Sequence, residues 1–266
     1  MDVQLLGNVE IRSESRVVRL SRSAERCVLA TLAFNPGRAV RAATLADNIW
    51  LPATQSDKAI ETVAGYVRKV RAAIKKIGGQ PSWLRTDRGA RAYVLDIEPL
   101  WVDYIRFTQL TGVGRESGKV AMLQEALTLW RGPALADVTG LWAESRRYAV
   151  ETERLDVYDR VLTEQLRAGR GAEVARTVTA LIDEVTPTER LLLLGARGMA
   201  ASGHHTAIRS WIDRTTRRLR DATGADPSPD LLARLQRLVT GPQTGFSPAL
   251  QPKLDYQPRR QEPRSA

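Results

Sequence analysis

The 266-residue sequence has little of the chemistry that builds disulfides, metal centres or membrane spans. It contains one cysteine and two histidines, which excludes an intramolecular disulfide and leaves little for a cysteine–histidine zinc site. No run approaches the roughly 18 apolar residues of a transmembrane helix, and the first residues lack the charged and apolar regions of a secretory signal. These absences predict a cytoplasmic protein that does not interact with a membrane.

Motifs for catalysis are missing as well. The sequence has no Gly-x-Ser-x-Gly nucleophile elbow. The glycine-rich segment 112–120 has Val113 and Val120 at positions where a Walker A phosphate-binding loop needs glycine and Ser or Thr. We therefore predict that this segment is a flexible loop between helices, and that the protein has no cofactor and is not an enzyme.

The chain has an excess of positive charge, and most of it lies in the first 100 residues. There are 40 Lys and Arg against 30 Asp and Glu, a net charge of +10. Residues 1–100 hold 16 of the basic side chains and ten of the acidic ones. A basic region of this kind favours a polyanionic partner.

The first 50 residues combine strand and helix patterns. Apolar residues at even spacing predict a pair of short strands within 3–20. The i, i+3, i+4, i+7 spacing predicts a helix over 24–32, which either Ser21 or Ser23 would cap. A second short helix is predicted over about 42–50.

A longer helix, predicted over about 56–77, has two faces of different chemistry. Five of the nine residues from Arg68 to Lys76 are basic and none is acidic. The helical advance of about 100° per residue separates these polar positions from an apolar stripe, so one face suits a core and the other an anion. The stripe consists of Ile60, Val63, Val67, Val70, Ile74 and Ile77. The opposite face consists of Lys58, Glu61, Thr62, Gly65, Lys69, Ala72 and Lys76, with Tyr66 and Arg68 beside it.

Two strand patterns follow this helix, over 83–86 and 93–95. The turn between them includes Arg88 and Arg91, so the predicted hairpin carries two arginines at its tip. A basic helix followed by such a hairpin is typical of a winged helix-turn-helix domain, whose helix enters the major groove of double-stranded DNA. We predict this domain over residues 1–97.

The chain from residue 101 to residue 240 has the pattern of paired helices. Gly169 and Gly203 lie in similar settings 34 residues apart, which is the period of a tetratricopeptide repeat. We predict an all-α, tetratricopeptide-like domain over 101–240, so that the protein as a whole is mainly α. Residues 241–266 include five prolines and no sustained periodicity, and they are predicted to form a disordered tail.

Three segments of the chain resemble the Streptomyces antibiotic regulatory proteins, a family of transcriptional activators. Residues 59–71 resemble the family's DNA-reading helix. Residues 129–137, Leu-Trp-Arg-Gly-Pro-Ala-Leu-Ala-Asp, and residues 224–229, Gly-Ala-Asp-Pro-Ser-Pro, resemble its bacterial transcriptional activator domain. The segments occur in the family's order, and the resemblance covers about residues 1–240.

The resemblance implies a sequence-specific activator of a secondary-metabolite gene cluster. Such proteins bind direct repeats near promoters and recruit RNA polymerase holoenzyme, so two copies of the chain are expected side by side on DNA, in the nucleoid. Large members of the family add an ATPase module. This chain is too short to hold one, and it therefore resembles a small, stand-alone member.

Ten residues are predicted to contact DNA. Lys58, Thr62 and Lys69 face outward and are candidates for reading base edges. Arg71 lies near the edge of the apolar stripe and is a better candidate for phosphate, as are Arg68 and the two wing arginines. Gly65 follows Ala64, which stands where the family has glutamine; an interior helix glycine costs about 1 kcal/mol relative to alanine, but it would allow a closer approach of the backbone to DNA. The full set is Lys58, Thr62, Gly65, Tyr66, Arg68, Lys69, Arg71, Lys76, Arg88 and Arg91.

Two other functions remain open from the sequence. Because Ala64 and Gly65 offer no long polar side chains, the winged helix could be degenerate and bind protein, which would make the chain a helical-repeat adaptor. This alternative predicts no salt-sensitive DNA binding. The positive charge alone is also compatible with RNA binding, which predicts a preference for RNA and exposed aromatic contacts.

Overall fold

The computed structural model describes residues 1–50 and 57–240. It begins with a small antiparallel sheet of three strands, β1 (Asp2–Gln4), β2 (Glu10–Arg12) and β3 (Val17–Arg19), paired in the order β1-β2-β3. The predicted pair of strands is therefore a three-stranded sheet. The apolar side chains of β1 and β2, Val3 and Ile11, are fully buried because they pack against the hydrophobic core that α1 and α3 form.

Helix α1 (Ser23–Ala33) follows the sheet, and its cap differs from the prediction. Arg22 occupies the N-cap position, so neither Ser21 nor Ser23 caps the helix. The first turn is closed instead by the buried carboxylate of Glu25, which accepts hydrogen bonds from the Arg22 backbone N–H and the Ser21 hydroxyl, both at 3.3 Å. A residue three positions into a helix can satisfy the N-cap N–H in this way.

The next elements form a winged helix. Strand β4 (Ala39–Arg41) and helix α2 (Ala42–Ile49) lead to the long helix α3 (Asp57–Lys76), and the hairpin of β5 (Leu84–Asp87) and β6 (Ala92–Leu95) completes the unit. The second sheet is antiparallel, with the order β4-β6-β5. The short second helix and both wing strands are confirmed within one or two residues. Ser56 and residues 51–55 lie outside the described part of the chain.

Seven α-helices follow in the described part of the chain, beginning with α4 (Asp103–Ser117) and α5 (Val120–Thr128). The predicted loop over 112–120 is wrong, because α4 continues through Ser117 and only Gly118 and Lys119 separate the two helices. A Cβ at Gly114 would lie 2.7 Å from Cδ2 of Leu123. That glycine therefore allows α4 and α5 to pack closely. The other helices are α6 (Leu141–Arg167), α7 (Gly171–Glu184), α8 (Glu189–Ala201), α9 (His205–Thr223) and α10 (Pro229–Thr240).

The predicted 34-residue spacing holds for the first helices of the last two described pairs, whereas their second helices, α8 and α10, begin 40 residues apart. Helices α7 and α9 begin 34 residues apart, and each follows a glycine with positive φ, +73° at Gly169 and +77° at Gly203. Within the first pair, a Cβ at Gly171 would lie 2.9 Å from the carbonyl oxygen of Gly198, so the backbones of α7 and α8 approach closely. The tetratricopeptide-like part of the predicted fold is confirmed. The tail over 241–266 lies outside the described residues.

The winged helix and the helical part are joined by backbone hydrogen bonds. The connection between α5 and α6 runs along the segment that follows β1. The N–H groups of Arg131, Leu135 and Ala136 donate to the carbonyl oxygens of Leu6, Leu5 and Gly7 at 2.9, 2.9 and 3.1 Å, respectively. Leu135 is fully buried in the same core cluster as the apolar residues of α1 and α3. The core of the winged helix thus extends into the α5–α6 connection and the start of α6.

The buried carboxylate of Asp103 lies at the centre of this junction. It accepts hydrogen bonds from the backbone N–H groups of Leu5 at 2.8 Å and Leu6 at 3.1 Å, and it pairs with the guanidinium of Arg131 at 3.1 Å. Burial raises the pKa of the Asp103 carboxyl, while these donors act in the opposite direction. Arg131 also lies 3.6 Å from the buried carboxylate of Glu10. The Asp103 side chain therefore connects α4 to the segment that follows β1 and to the α5–α6 connection.

We predict that Asp103→Ala lowers the free energy of unfolding of the whole chain by about 3 kcal/mol, because it leaves two buried N–H donors without an acceptor and removes one of the two carboxylates that pair with Arg131. The control is Asp96→Ala, which removes an ion pair with Arg85 in which both side chains are more than half exposed. We expect a loss below about 1 kcal/mol for the control. Chemical denaturation of both variants measures the difference, and equal losses would contradict the assigned role of Asp103.

Candidate nucleic-acid interface

The outer face of α3 forms one wall of an open groove of about 950 Å³. The start of α1 forms the opposite wall. Six of the ten predicted site residues lie in this groove: Lys58, Thr62, Gly65, Tyr66, Arg68 and Lys69. The remaining lining residues are Ser21, Arg22, Glu25, Glu61 and Ala72.

The opposite side of α3 holds this face in place. Val63, Val67 and Val70 have no exposed surface, and Ile74 is 2% exposed. The predicted stripe is thus buried along its centre, while Ile60 and Ile77 at its ends are half-buried. Because a helix with one fully buried face cannot rotate about its axis without exposing apolar surface, the outward residues have a defined direction.

The basic side chains of the groove are exposed and available. Lys58, Arg68 and Lys69 are exposed, and their side chains form no ion pair or hydrogen bond with other described residues. An unpaired surface cation can neutralise a phosphate or donate to a base edge without first breaking an internal contact. The groove is therefore equipped for an anionic partner.

Thr62 and Tyr66 are less available than the sequence predicts. The Thr62 hydroxyl donates to the carbonyl oxygen of Lys58 at 2.8 Å, so only its lone pairs remain for a partner. Tyr66 is half-buried, and its ring centroid lies 6.2 Å from that of Trp50. Both residues shape the floor of the groove more than they extend from it.

Arg71 has a different environment from the predicted one. Its Nε donates to the carbonyl oxygen of Leu84 at 2.9 Å, and its Nη2 donates to the Thr86 hydroxyl at 2.7 Å. The side chain thus connects α3 to strand β5 of the wing. Lys76 lies at the far end of α3, outside the groove, where its carbonyl oxygen accepts a hydrogen bond from Arg16 at 3.1 Å.

The wing presents a second basic surface. Arg88 and Arg91 are both exposed at the turn between β5 and β6. Arg91 has a φ of +47°, and its carbonyl oxygen accepts a hydrogen bond from the N–H of Ala42, the first residue of α2, at 2.9 Å. The Asp87 carboxylate accepts from the N–H of Ala90 at 3.0 Å. The turn therefore has a defined shape next to α2.

Arg22 is a groove residue that the sequence reading missed. It is exposed, and its side chain has no partner among the described residues. Its position opposite α3 adds a cation to the other wall of the groove. Only the packing of α1 against α3 brings it there, since it lies 36 residues before Lys58 in the chain. A basic residue at a helix N-cap is the only local signal, and it is a weak one.

The described residues hold no group of three or more His, Cys, Asp or Glu suited to a metal ion. None of the described helices is both long enough and apolar enough to cross a bilayer. The single cysteine, Cys27, lies on the buried face of α1, and burial raises the pKa of its thiol to about 12. A thiol with such a pKa is protonated at neutral pH and is a poor nucleophile.

Comparison with known families agrees with this architecture. Residues 15–95 match the family model "Transcriptional regulatory protein, C terminal", and residues 102–239 match "Bacterial transcriptional activator domain". The two matches fall on the winged helix and on the helical part. They define a transcriptional regulator with a winged helix followed by a helical activator domain.

Individual relatives give the same result. "Transcriptional regulator RedD" of Streptomyces coelicolor is 30% identical over 250 residues, which cover 88% of this chain and 69% of RedD. "Regulatory protein DnrI" of Streptomyces peucetius is 28% identical over 253 residues, 90% of each chain. "Regulatory protein AfsR" of Streptomyces griseus is 28% identical over 253 residues, 93% of this chain but 25% of AfsR. The chain therefore spans about a quarter of the length of AfsR.

A solved structure has the same fold. Mycobacterium tuberculosis EmbR, in complex with a low-affinity phosphopeptide, superposes with a TM-score of 0.69 and 25% sequence identity. The match covers 90% of this chain and 64% of that chain. The chain belongs to the family of Streptomyces antibiotic regulatory proteins, as the resemblance in its three sequence segments indicates.

We predict that Arg71→Ala lowers the free energy of unfolding by about 1–2 kcal/mol, because it removes two hydrogen bonds between α3 and β5. Arg68→Ala is the matched control from the same helix, and its removal should change this free energy by less than about 0.5 kcal/mol. Urea denaturation tests both variants. If Arg71→Ala is as stable as the wild type, the helix–wing contact does not stabilise the fold.

Proposed function

We propose that this protein is a sequence-specific, DNA-binding transcriptional activator of a secondary-metabolite gene cluster. The observation that carries the proposal is the row of exposed cations on the outer face of α3, which have no side-chain partner among the described residues, while the opposite face of the helix is buried. A winged helix with this charge pattern favours double-stranded DNA. The family membership supports a regulatory function without catalysis.

In this proposal α3 enters the major groove. Lys58 and Lys69 donate to base edges, while Arg68 and Arg22 neutralise phosphates on either side of the DNA major groove. The wing arginines contact the backbone of the neighbouring turn of DNA. Arg71 acts indirectly, because it sets the angle between α3 and the wing.

In this proposal the helical part has no chemical role and acts by placing a contact surface at a defined position on the DNA. We propose that residues 1–97 bind DNA and that residues 101–240 contact a second copy of the chain or RNA polymerase holoenzyme. Two copies bound to direct repeats about one helical turn apart, roughly 10–10.5 base pairs, would lie on the same face of the DNA. The shared core between the two parts supports this reading, because a rigid junction transmits the position of α3 to the helical surface.

Gly65 gives a more specific expectation. An added Cβ at this position would meet only Nη2 of Arg68, at 3.8 Å, so nothing within the fold requires a glycine there. An interior helix glycine costs about 1 kcal/mol relative to alanine. We infer that this glycine allows the backbone of α3 to approach DNA closely.

We predict that Gly65→Ala raises the free energy of unfolding by about 0.5–1 kcal/mol and weakens binding to the specific site roughly tenfold, about 1.4 kcal/mol. The control is Gly112→Ala in α4, where a Cβ would meet nothing within 4 Å among the described residues. The control should gain stability and keep its DNA affinity. Thermal unfolding and fluorescence anisotropy measure the two quantities, and unchanged affinity of Gly65→Ala would refute the close approach.

The proposal as a whole is tested by fluorescence anisotropy with DNA from upstream of the neighbouring genes, at several salt concentrations, against random DNA and RNA. We expect tight, salt-dependent binding to one fragment that survives excess random DNA. Arg68→Ala should lower the salt slope by about one unit, and Lys69→Ala should change the preferred site variants. Weak binding that is equal on all sequences would overturn the proposal and favour a protein-binding adaptor, and preference for RNA would favour an RNA-binding protein.

A further inference from the structure

A pocket of about 480 Å³ opens in the helical part, far along the chain from the DNA-facing groove. It lies where the α5–α6 connection meets α6 and α7, and its volume is within the range of small-molecule sites. Its apolar and aromatic walls are Leu127, Trp130, Tyr158, Ala180 and Leu181. Arg131, Gly132, Arg154, Thr177 and Glu184 complete the lining.

Arg154 forms the floor of this pocket. Its side chain is 5% exposed, and its guanidinium carbon lies 4.6 Å from the ring centroid of Trp130 and 5.6 Å from that of Tyr158. The terminal nitrogens pair with the carboxylates of Glu151 at 3.4 Å and Glu184 at 3.1 Å. The charge of this buried arginine is therefore already balanced within the protein.

Two N–H donors at the same floor have no acceptor. Trp130 Nε1 and Arg154 Nε are buried, and neither has a hydrogen-bond partner among the described residues. Orphaned buried donors are rare in folded proteins and call for an explanation. The hydroxyls of Tyr158 and Thr177 also lack a partner within the described part of the chain. Four polar groups without partners thus line one aromatic pocket.

We propose that this pocket binds a small, uncharged aromatic molecule that carries a carbonyl oxygen. The half-buried ring of Tyr158 suits contact with an aromatic ring, and the Arg154 guanidinium, which covers the Trp130 ring at 4.6 Å, offers a second flat surface. The two orphaned groups are donors, so the ligand must supply an acceptor. Both nitrogens are buried below the pocket surface, so the proposed ligand reaches them only if the Arg154 side chain moves away from Glu151 and Glu184.

The charges of the lining argue for a neutral ligand. Arg154 is paired with Glu151 and Glu184. The other cation, Arg131, is paired with the carboxylates of Asp103 and Glu10. No cation of the pocket is free to balance an anion, and Glu184 at the rim would repel one. A carbonyl oxygen supplies the acceptor without a charge.

The test uses coumarin, an uncharged aromatic lactone, as the probe on the full-length protein. Naphthalene, which has no acceptor, and 1-naphthoate, which is charged, are the comparison probes. We expect saturable binding of coumarin at one site by calorimetry or ligand-observed NMR. Both comparison probes should bind at least roughly tenfold more weakly, the effect of leaving a donor unpaired or burying an unpaired charge.

Two variants assign the binding to this pocket. Trp130→Phe keeps the ring but removes the Nε1 donor, and it should weaken coumarin binding roughly tenfold. Trp83→Phe, in the winged helix, is its control and should bind as the wild type does. Because Trp130→Phe could impair folding, Ala180→Leu at an exposed position of α7 fills the pocket directly. Ala172→Leu, also exposed on α7 but outside the lining, is the matched control.

Three results would overturn the proposal. The first is no saturable binding of coumarin to the wild type, which would leave ordered water as the partner of the donors. The second is equal affinity of coumarin for the wild type and Ala180→Leu, which would place binding elsewhere. The third is equal affinity for coumarin and naphthalene, which would remove the role of the orphaned donors. None of these outcomes depends on DNA binding, so the proposed function is tested separately.

Discussion

The arrangement of the winged helix and the helical part depends on the hydrogen bonds and the ion pair of the Asp103 carboxylate. The carboxylate accepts hydrogen bonds from the N–H groups of Leu5 and Leu6, which directly follow β1, and it pairs with Arg131 of the α5–α6 connection. A buried carboxylate is stable only if its hydrogen bonds and ion pair are nearly complete. The geometry of β1, α4 and the connection is therefore determined together, and the winged helix sits on the helical part as one unit.

The arginines of this protein fall into two groups with different physical roles. Some are structural: Arg147 donates to the carbonyl oxygens of Ala134, Leu135 and Val138 at 2.9, 2.7 and 2.8 Å, which closes the connection between α5 and α6. Arg71 does the same between helix and wing. Others, such as Arg22 and Arg68, are exposed without a partner among the described residues. The net charge of +10 therefore overstates the surface available to DNA, and the location of the unpaired cations is the better guide.

Regular features of the chain were predictable because they arise within single elements. The apolar stripe of α3 follows from the 3.6-residue period, and burial of Val63, Val67 and Val70 confirms it. The 34-residue spacing between the starts of α7 and α9 follows from the glycine turns that precede them. The segment 112–120 was mispredicted, because its glycines suggested a loop, whereas Gly114 allows contact with Leu123 of the next helix.

The sequence by itself thus determined the order of the two parts, the two faces of α3, and the basic groove residues that α3 contributes. Only the tertiary structure decided which side chains those residues meet. Arg22 joins the groove from 36 positions before Lys58, Arg71 finds its acceptors in β5, and Asp103 receives donors from residues 97 and 98 positions earlier. The physical reason is that periodicity specifies the direction of a side chain relative to its own helix or strand, while its partner depends on how distant elements pack.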